Sequence, residues 1–411
     1  MKKPGSGARD HGPAGAPERY SAVVNDRGAE RVRGGHPWIY GTDILGWEPE
    51  PPAAAVLTAG VRDRRGHELG TADRSPQSKI QLRMLTREAG ATVDRAFLQA
   101  RLAEALAYRQ KLVHDSEAYR LVSSEGDGLP GLIVDRYGDA LALQTLSWAM
   151  AARQAEIVED LKALVAPRTI VERNEARVRL QEGLEQRAGL IEGATSTVEV
   201  QVNGLRLEMD LLGGQKTGGF LDQRENWKAA AGYAQALGCR KALDVFTYQG
   251  GFALHLARAG AAVQAVDSSR TALEVAERNG ERNGFPAIDW VEANAFDLLR
   301  DYDQRGERFD CLVLDPPAFA KSRAALKTAA AGYKEINLRA LKLVAPGGLL
   351  VTCSCSHHLS EAHLLEILAD AARDARREVR VLERRGQAAD HPVVLGFPES
   401  AYLKCIVAAV Q

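Results

Sequence analysis

Lys241-Ala242-Leu243-Asp244-Val245-Phe246-Thr247-Tyr248-Gln249-Gly250-Gly251-Phe252 reads as a buried strand that turns through two glycines into a helix. Downstream the pattern repeats. AVQAVD (262–267), IDWVEA (288–293), FDCLVLD (309–315), GGLLVTC (347–353) and YLKCIVAAV (402–410) have the composition of strands. Helical periodicity falls between them, near 251–259, 270–283, 328–344 and 360–376. Strands alternating with helices of this length predict an α/β domain whose mostly parallel sheet is covered on both faces.

Upstream, the reading changes character. Residues 1–19 are rich in Gly, Pro and charge and are expected to be a disordered tail. YSAVVN (20–25), HPWIYGTDIL (36–45), AAVLTA (54–59), HELGTAD (67–73) and KIQLRML (79–85) predict a small β-rich module, with NDRG and RDRRGH as hairpin turns. Asp94 is the expected N-cap of a helix over AFLQARLAEALAYRQKLV (96–113). A central α+β stretch follows, with strands YRLVSSEGD, LIVDRYG, ALALQTL and TIVERN and a helix near 149–165. The expected division is therefore a tail (1–19), a β module (20–90), a helix with a central α+β domain (91–205) and the alternating domain (206–411).

The 411 residues suit two or three domains, and 45% apolar with 26% charged residues is ordinary for a globular chain. No apolar run reaches the roughly 18 residues that span a bilayer. Lys+Arg 53 against Asp+Glu 54 gives a formal charge of −1, so a polyanionic partner would need a local basic face. Five cysteines, all in the second half and without scaffold spacing, predict reduced thiols in the cytoplasm.

Four segments carry chemistry. The Asp244–Phe252 turn lacks the three-glycine dinucleotide pattern and the Gly-Lys-Ser/Thr phosphate loop, which favours a cofactor without phosphate. Asp267 ends the next strand, where a carboxylate can accept from ribose hydroxyls. Asp315-Pro316-Pro317-Ala318-Phe319 follows a strand, and the prolines make it a stiff ledge suited to a planar base. In Thr352-Cys353-Ser354-Cys355-Ser356-His357-His358 the cysteines and histidines are too close together for a zinc site, so no metal is expected. Alternation buries Cys353 in the strand, whereas Cys355 lies past it at the ligand edge, where a thiolate can act as nucleophile. Gly213–Arg224 (GGQKTGGFLDQR) is expected to wall or cover the same site.

Together these residues resemble class I S-adenosylmethionine-dependent methyltransferases, and more closely the bacterial large-subunit ribosomal RNA methyltransferase I family, which makes 5-methylcytosine in 23S rRNA. RVRGGHPWIYGTDI (31–44) resembles the start of that family's PUA RNA-binding domain, and YRLVSSEGDGLPGLIVDRY (119–137) its central domain. QKTGGFLDQREN, DVFTYQGGF, VDSS, LDPPAFAKSR, CSCSHH and DHPVVLGFPESAYLK resemble its catalytic-domain motifs in order. The resemblance implies a Rossmann-like methyltransferase domain with a seven-stranded sheet and S-adenosylmethionine as cofactor. It implies a pocket of Asp244, Phe246, Tyr248, Gly250, Asp267, Ser268, Asn294, Ala295, Asp315, Phe220 and Gln223, with Asn294 beside the adenine. Asp315 would face the target base and Cys355 would be the nucleophile. Arg31, Arg33, Arg62, Arg64, Arg65, Lys216 and Lys321 would contact RNA. The chain departs from the family at Asn294, commonly Asp, and at Gly219, where an aromatic is more usual before Phe220. The partner expected is 23S rRNA, free or in a large-subunit precursor, with no membrane and a homodimer left open. Two alternatives stand beside this one: methylation of another rRNA base, such as a guanine nitrogen, and a non-catalytic RNA-binding assembly factor.

Overall fold

A computed structural model describes residues 20–51, 56–320 and 324–411. The expected tail (1–19), the start of the AAVLTA strand and Lys321 lie outside the described residues. The chain forms two compact units, Met1–Val93 and Asp94–Gln411.

In the first unit β1 (Ser21–Val24), β2 (Trp38–Tyr40), β3 (Ile44–Glu48), β4 (Thr58–Asp63), β5 (Glu68–Arg74) and β6 (Ile80–Thr86) form one sheet, ordered β2-β6-β5-β4-β1-β3. Val24, Ile39, Val61 and Leu82 are fully buried at its centre. The NDRG turn is a correction: Asn25 instead caps helix α1 (Asp26–Arg33), its side chain accepting from Gly28 N at 2.8 Å. A hairpin reading misses that Gly28, Ala29 and Val32 bury one helical face. HPWIYGTDIL is two strands rather than one, because Asp43 accepts from Tyr40 N and tightens residues 41–43 into a 3₁₀ turn. RDRRGH does close a hairpin, with Asp63 accepting from the backbone of Arg65 and His67.

The second unit opens with α2 (Arg95–Leu112), capped by Asp94 through Phe97 N at 2.9 Å. A five-stranded sheet follows, of β7 (Ala118–Ser123), β8 (Leu132–Tyr137), β9 (Ala140–Thr145), β10 (Thr169–Asn174) and β11 (Arg187–Glu192), ordered β11-β10-β9-β8-β7. The expected 149–165 helix is two, α3 (Trp148–Ala152) and α4 (Gln154–Val165), separated where Arg153 (φ −96°, ψ 3°) leaves the helical path. A short α5 (Val178–Gln181) precedes β11. β12 (Thr197–Val202) and β13 (Leu205–Asp210) are a hairpin around Asn203-Gly204, both at positive φ. The 205/206 division expected from the sequence falls inside that hairpin. Three buried Arg–Asp pairs lie in this unit: Arg109–Asp127, Arg120–Asp135 at 2.8 Å and Arg224–Asp390 at 3.1 Å. The third joins residues from the helix before the alternating region to its late loop, and Asp390 also accepts from Arg120 N of β7. Through Asp390 the residues before the alternating region are tied to it, within the unit 94–411.

The remainder is the alternating region: α6 (Arg224–Ala236), β14 (Lys241–Val245), α7 (Gly251–Arg258), β15 (Ala262–Asp267), α8 (Arg270–Arg282), β16 (Asp289–Glu292), α9 (Ala295–Arg305), β17 (Phe309–Leu314), α10 (Leu326–Leu343), β18 (Val344–Ser354), α11 (Glu361–Ala375), β19 (Val379–Arg385) and β20 (Lys404–Val410). Its seven strands run β16-β15-β14-β17-β18-β20-β19, parallel except for β20, which enters antiparallel between β18 and β19. Strands such as Cys311–Leu314 and Leu349–Cys353 are buried on both faces, as a helix-covered sheet requires. Chain order reverses between β14 and β17, and their carboxyl ends open a crevice there. Because β20 is antiparallel, its first residues also arrive at that edge. Among the described residues, no helix is long and apolar enough to cross a membrane.

Candidate active site

The crevice leads into a cavity of about 270 Å³ at the carboxyl edge. The loop after β14 forms one wall. Phe246 N and Thr247 N both donate to Val266 O, which folds the chain back sharply. The fold-back holds Phe246 and Tyr248 at φ +67° and +52°. Among the described residues seven non-glycine residues have positive φ, and three of them (Lys216, Phe246 and Tyr248) line this cavity. Such backbone costs on the order of 1–3 kcal/mol per residue and concentrates where ligands bind.

Asp267 ends β15 at the cavity. Its Oδ2 accepts from Tyr248 N and its Oδ1 from Ser269 N, both at 2.9 Å. The two amides fix the carboxylate plane and leave each oxygen with accepting capacity toward the cavity. The Gly213–Arg224 loop forms the opposite wall: Gln215 N donates to the Tyr248 hydroxyl at 2.7 Å, and the Phe220 ring meets that of Tyr248 edge-on at 5.1 Å. A side chain at Gly219 would begin 3.2 Å from the Met209 sulfur, so the Gly-Phe sequence is matched to this neighbour.

Asp315 and Cys355 share the cavity surface. Gln223 Nε2 donates to Asp315 Oδ1 at 2.9 Å. Burial, reinforced by the charges of Asp222 and Asp244, pushes the Asp315 carboxyl up to about 7. Cys355 is half-buried, and burial with the Asp315 charge raises its thiol. Cys353 is fully buried opposite Cys405 in the β18–β20 ladder, sharing a core face with Leu349 and Val351. Its burial holds the thiol well above the usual range.

The structure brings Phe220, Gln223, Phe246, Tyr248, Asp267, Ser268, Asp315, Cys355 and Lys216 around one cavity. It places four other expected residues off its surface. Asp244 is fully buried: Oδ2 accepts from Thr247 Oγ1 at 2.6 Å and from Ala253 N at 3.0 Å, so it braces the turn from behind. Gly250 starts α7 at φ +87°, and a Cβ there would meet the Trp290 ring at 2.9 Å. Asn294 caps α9, its Oδ1 accepting from Phe296 N and Asp297 N, and Ala295 is the first residue of that helix. Its oxygen is thus engaged in the cap, and its amide is left to donate.

The RNA candidates differ among themselves. Arg31 is held by Asp43 at 2.5 Å, Arg33 pairs with Asp63, and Arg62 lies 3.1 Å from Glu68, while Arg64 and Arg65 are exposed. Lys216 is paired with Asp222 at 2.6 Å at the cavity itself. Sequence reading passed over Asp222, Tyr402 and Lys404. Tyr402 donates to Asp222 Oδ2 at 2.7 Å, and Asp222 Oδ1 is buried on the cavity wall without a partner among the described residues. Its spacing within FLDQR gave no periodic signal, and its charge did not stand out among Lys216, Arg224 and Glu225.

S-adenosylmethionine fits these residues. The Asp267 carboxylate suits a ribose diol, the unpartnered Asp222 Oδ1 suits a ligand ammonium, and no lysine–glycine cradle for phosphates is present at the Asp244–Phe252 turn. Asp267→Ala is expected to weaken S-adenosylmethionine binding about tenfold or more, since hydrogen bonds to a charged group contribute roughly 1.5–3 kcal/mol. Calorimetry on a variant with wild-type melting behaviour checks this, and unchanged affinity would refute the assignment.

Comparison with known proteins agrees with this geometry. The family described as S-adenosylmethionine-dependent methyltransferase matches residues 168–406, and the PUA-like domain family matches 22–87. The ribosomal RNA large subunit methyltransferase I of Photobacterium profundum is 40% identical over 386 residues, covering 92% of this chain and 96% of the relative. That of Tolumonas auensis is 41% identical over 383 residues, covering 90% and 94%. The structure of a SAM-dependent methyltransferase from Streptococcus mutans superposes with a TM-score of 0.78 at 18% identity, covering 95% of this chain and 99% of that one, a likeness of fold. A PUA-like unit therefore precedes an S-adenosylmethionine-dependent methyltransferase domain, and the chain belongs to the ribosomal RNA large subunit methyltransferase I family.

Proposed function

We propose that this protein methylates carbon 5 of a cytosine in large-subunit ribosomal RNA through a transient bond between Cys355 and carbon 6 of the base. One observation carries the reading. Of the five cysteines, four are buried and Cys355 alone is partly exposed beyond the margin that Cys239 shows, and it shares the cavity surface with Asp315 and with Asp267. A guanine-nitrogen methyltransferase needs no thiol there.

Carbon 5 of cytosine is a poor nucleophile. Addition of the Cys355 sulfur to carbon 6 breaks the 5,6 double bond and moves its electrons through the ring onto N3. As sulfur attacks, the Asp315 carboxylate receives the thiol proton and the resulting carboxyl delivers it to N3, where negative charge develops. Carbon 5 is then an enamine carbon. When bound, the cofactor supplies an electrophilic methyl group on a sulfonium. Solvent then takes the carbon-5 proton as the Cys355 sulfur is expelled, and Asp315 returns the N3 proton to that sulfur, which restores the aromatic ring and the starting thiol. Asp267, Tyr248 and Phe246 hold the cofactor side of the cavity, and Pro316-Pro317 stiffen the ledge beneath the base. The base must leave its stack to reach this cavity.

The test is nucleoside mass spectrometry of large-subunit rRNA from a strain lacking the protein. Loss of 5-methylcytosine supports the reading; loss of a methylguanosine with 5-methylcytosine intact overturns it.

The first unit is expected to grip RNA, with its exposed Arg64 and Arg65 contributing phosphate contacts. Removing residues 1–93 should leave cofactor binding intact while RNA affinity falls, and the slope of affinity against salt should flatten because fewer counterions are released. Filter binding at several salt concentrations measures both. An unchanged slope would assign the unit another role.

A further inference from the structure

Open sheet edges in the second unit are guarded in two ways, and one edge has neither guard. β16, at one edge of the seven-stranded sheet, is only four residues long. β19, at the other, reads VRVLERR and is crowded with charge. Shortness and charge both discourage an edge from pairing with another chain. β11 (RAGLIE), at the edge of the five-stranded sheet, is longer and has an uncharged middle in which Leu190 and Ile191 are 41% and 37% exposed. Among the described residues β10 is its single strand neighbour, and no backbone hydrogen bond from outside the sheet reaches residues 187–192.

Pairing with β10 gives this edge an internal symmetry. The rungs on β11 are Arg187, Ala188, Gly189, Leu190 and Glu192, because Ile191 is bulged out of the ladder. Gly189 is therefore the middle rung, with Arg187 and Glu192 two rungs away on either side. Without the bulge, Ile191 would take the place of Glu192. If the strand meets its own copy antiparallel about a two-fold axis at Gly189, Arg187 faces the partner's Glu192 and Ala188 faces the partner's Leu190, each twice. Opposite charges meet, and apolar side chains meet. Gly189 itself is a second pointer. Its φ is not positive, and a Cβ built there would find nothing within 4 Å, so this chain alone gives no steric reason for a glycine. Glycine inside a strand often marks the close approach of another backbone.

We propose that β11 is the seam of a homodimer, in which two copies of this chain join their five-stranded sheets into one continuous sheet, antiparallel about a two-fold axis at Gly189.

The end charges fix the register. Arg187 Nε donates to Glu172 at 2.9 Å, and Lys162 lies 2.9 Å from Glu192. Both side chains nevertheless stay about half exposed, and the terminal N–H groups of the guanidinium remain for the partner's carboxylate. Across the seam the charges then alternate: Glu172, Arg187, the partner's Glu192, the partner's Lys162. Any slipped register loses both Arg–Glu pairs.

Analytical ultracentrifugation of the full-length protein provides the test. Wild type should sediment as a dimer, and dilution should give its dissociation constant. Arg187→Glu sets like charges opposite one another at both ends of the seam and should raise that constant about tenfold or more. Glu192→Arg should do the same. The double variant restores opposite charges across the seam while reversing both contacts within the chain, to Glu172 and Lys162. It should therefore regain wild-type association only if the pairs are intermolecular. Gly189→Cys reads the axis directly. Facing residues of an antiparallel pair have Cα atoms about 4.5–5.5 Å apart, within disulfide reach, and the site has room for a side chain. Mild oxidation should link two copies through position 189, visible on a non-reducing gel and confirmed by peptide mass spectrometry. Ala188→Cys, which faces Leu190 across the seam, should link far less. Binding of S-adenosylmethionine by each variant verifies its fold. A wild type that remains monomeric at every concentration overturns the proposal and leaves the edge to a partner of another kind. A dimer in which the two charge reversals add rather than cancel, or which forms no link through position 189, overturns it as well and places the interface elsewhere.

Discussion

Cys355→Ala is expected to abolish methylation, by a factor of about 10⁴ or more, because removing a covalent nucleophile removes the pathway rather than one interaction within it. Binding of S-adenosylmethionine should be nearly unchanged, since Asp267, Tyr248 and Phe246 lie on a different wall of the cavity. The neighbouring thiol gives the control. Cys353 is fully buried against Cys405, so Cys353→Ala should lose stability, by roughly 1 kcal/mol for a small apolar truncation, and keep its activity. RNA with 5-fluorocytidine at the target should form a covalent adduct with wild type, because fluorine cannot leave carbon 5 as a proton. Denaturing gel electrophoresis shows the adduct directly. An adduct that persists in Cys355→Ala and vanishes in Cys353→Ala would assign the nucleophile to the other thiol.

Asp315→Asn is expected to cost about 10²–10⁴-fold, the range for losing a positioned proton-transfer group. The pH dependence is more specific than the loss. In the proposed step Asp315 and Cys355 must hold one proton between them. With the carboxyl near 7 and the thiol raised above its ordinary value, the pair carries two protons below about pH 7 and is inactive. kcat/KM should therefore rise as pH increases through about 7, hold level, and fall once the thiol itself ionises. That acidic limb belongs to the pair rather than to either residue. The limb near 7 should be lost in Asp315→Asn, where the rise moves up to the ionisation of the thiol itself. Single-turnover rates from about pH 5.5 to 10 resolve this, and a limb that stays near 7 in Asp315→Asn would remove the carboxyl from the proton transfer.

Legibility in the sequence followed the reach of each interaction. The alternating strands and helices were readable because their signal is local: apolar runs for strands buried on both faces, and caps such as Asp94. The carboxyl edge of the sheet was readable too, since strand ends place Asp267, Asp315 and Cys355 without any knowledge of packing. What failed was double use. Asn25-Asp26-Arg27-Gly28 has turn composition, yet Asn25 caps a helix. Asn203-Gly204 is a strong hairpin signal that went unused when a domain limit was drawn beside it. The buried pairs Arg109–Asp127, Arg120–Asp135 and Arg224–Asp390 were invisible for another reason. Each joins residues that periodicity would place on a wet surface, and only the tertiary fold shows that they face one another.

The position of β20 has a consequence for synthesis. In chain order it is the last of the described strands, yet in space it is interior, threaded between β18 and β19. Until it is in place β18 has an open edge along seven residues and β19 along six, and the loop bearing Cys355 lacks the Lys404 ammonium that holds the Ser356 carbonyl. A growing or prematurely terminated polypeptide can present strands β14 and β15 complete and still be unable to hold Cys355, the proposed nucleophile, in place. Truncated translation products should consequently be inert and prone to edge-to-edge aggregation, rather than weakly active on the ribosomes around them.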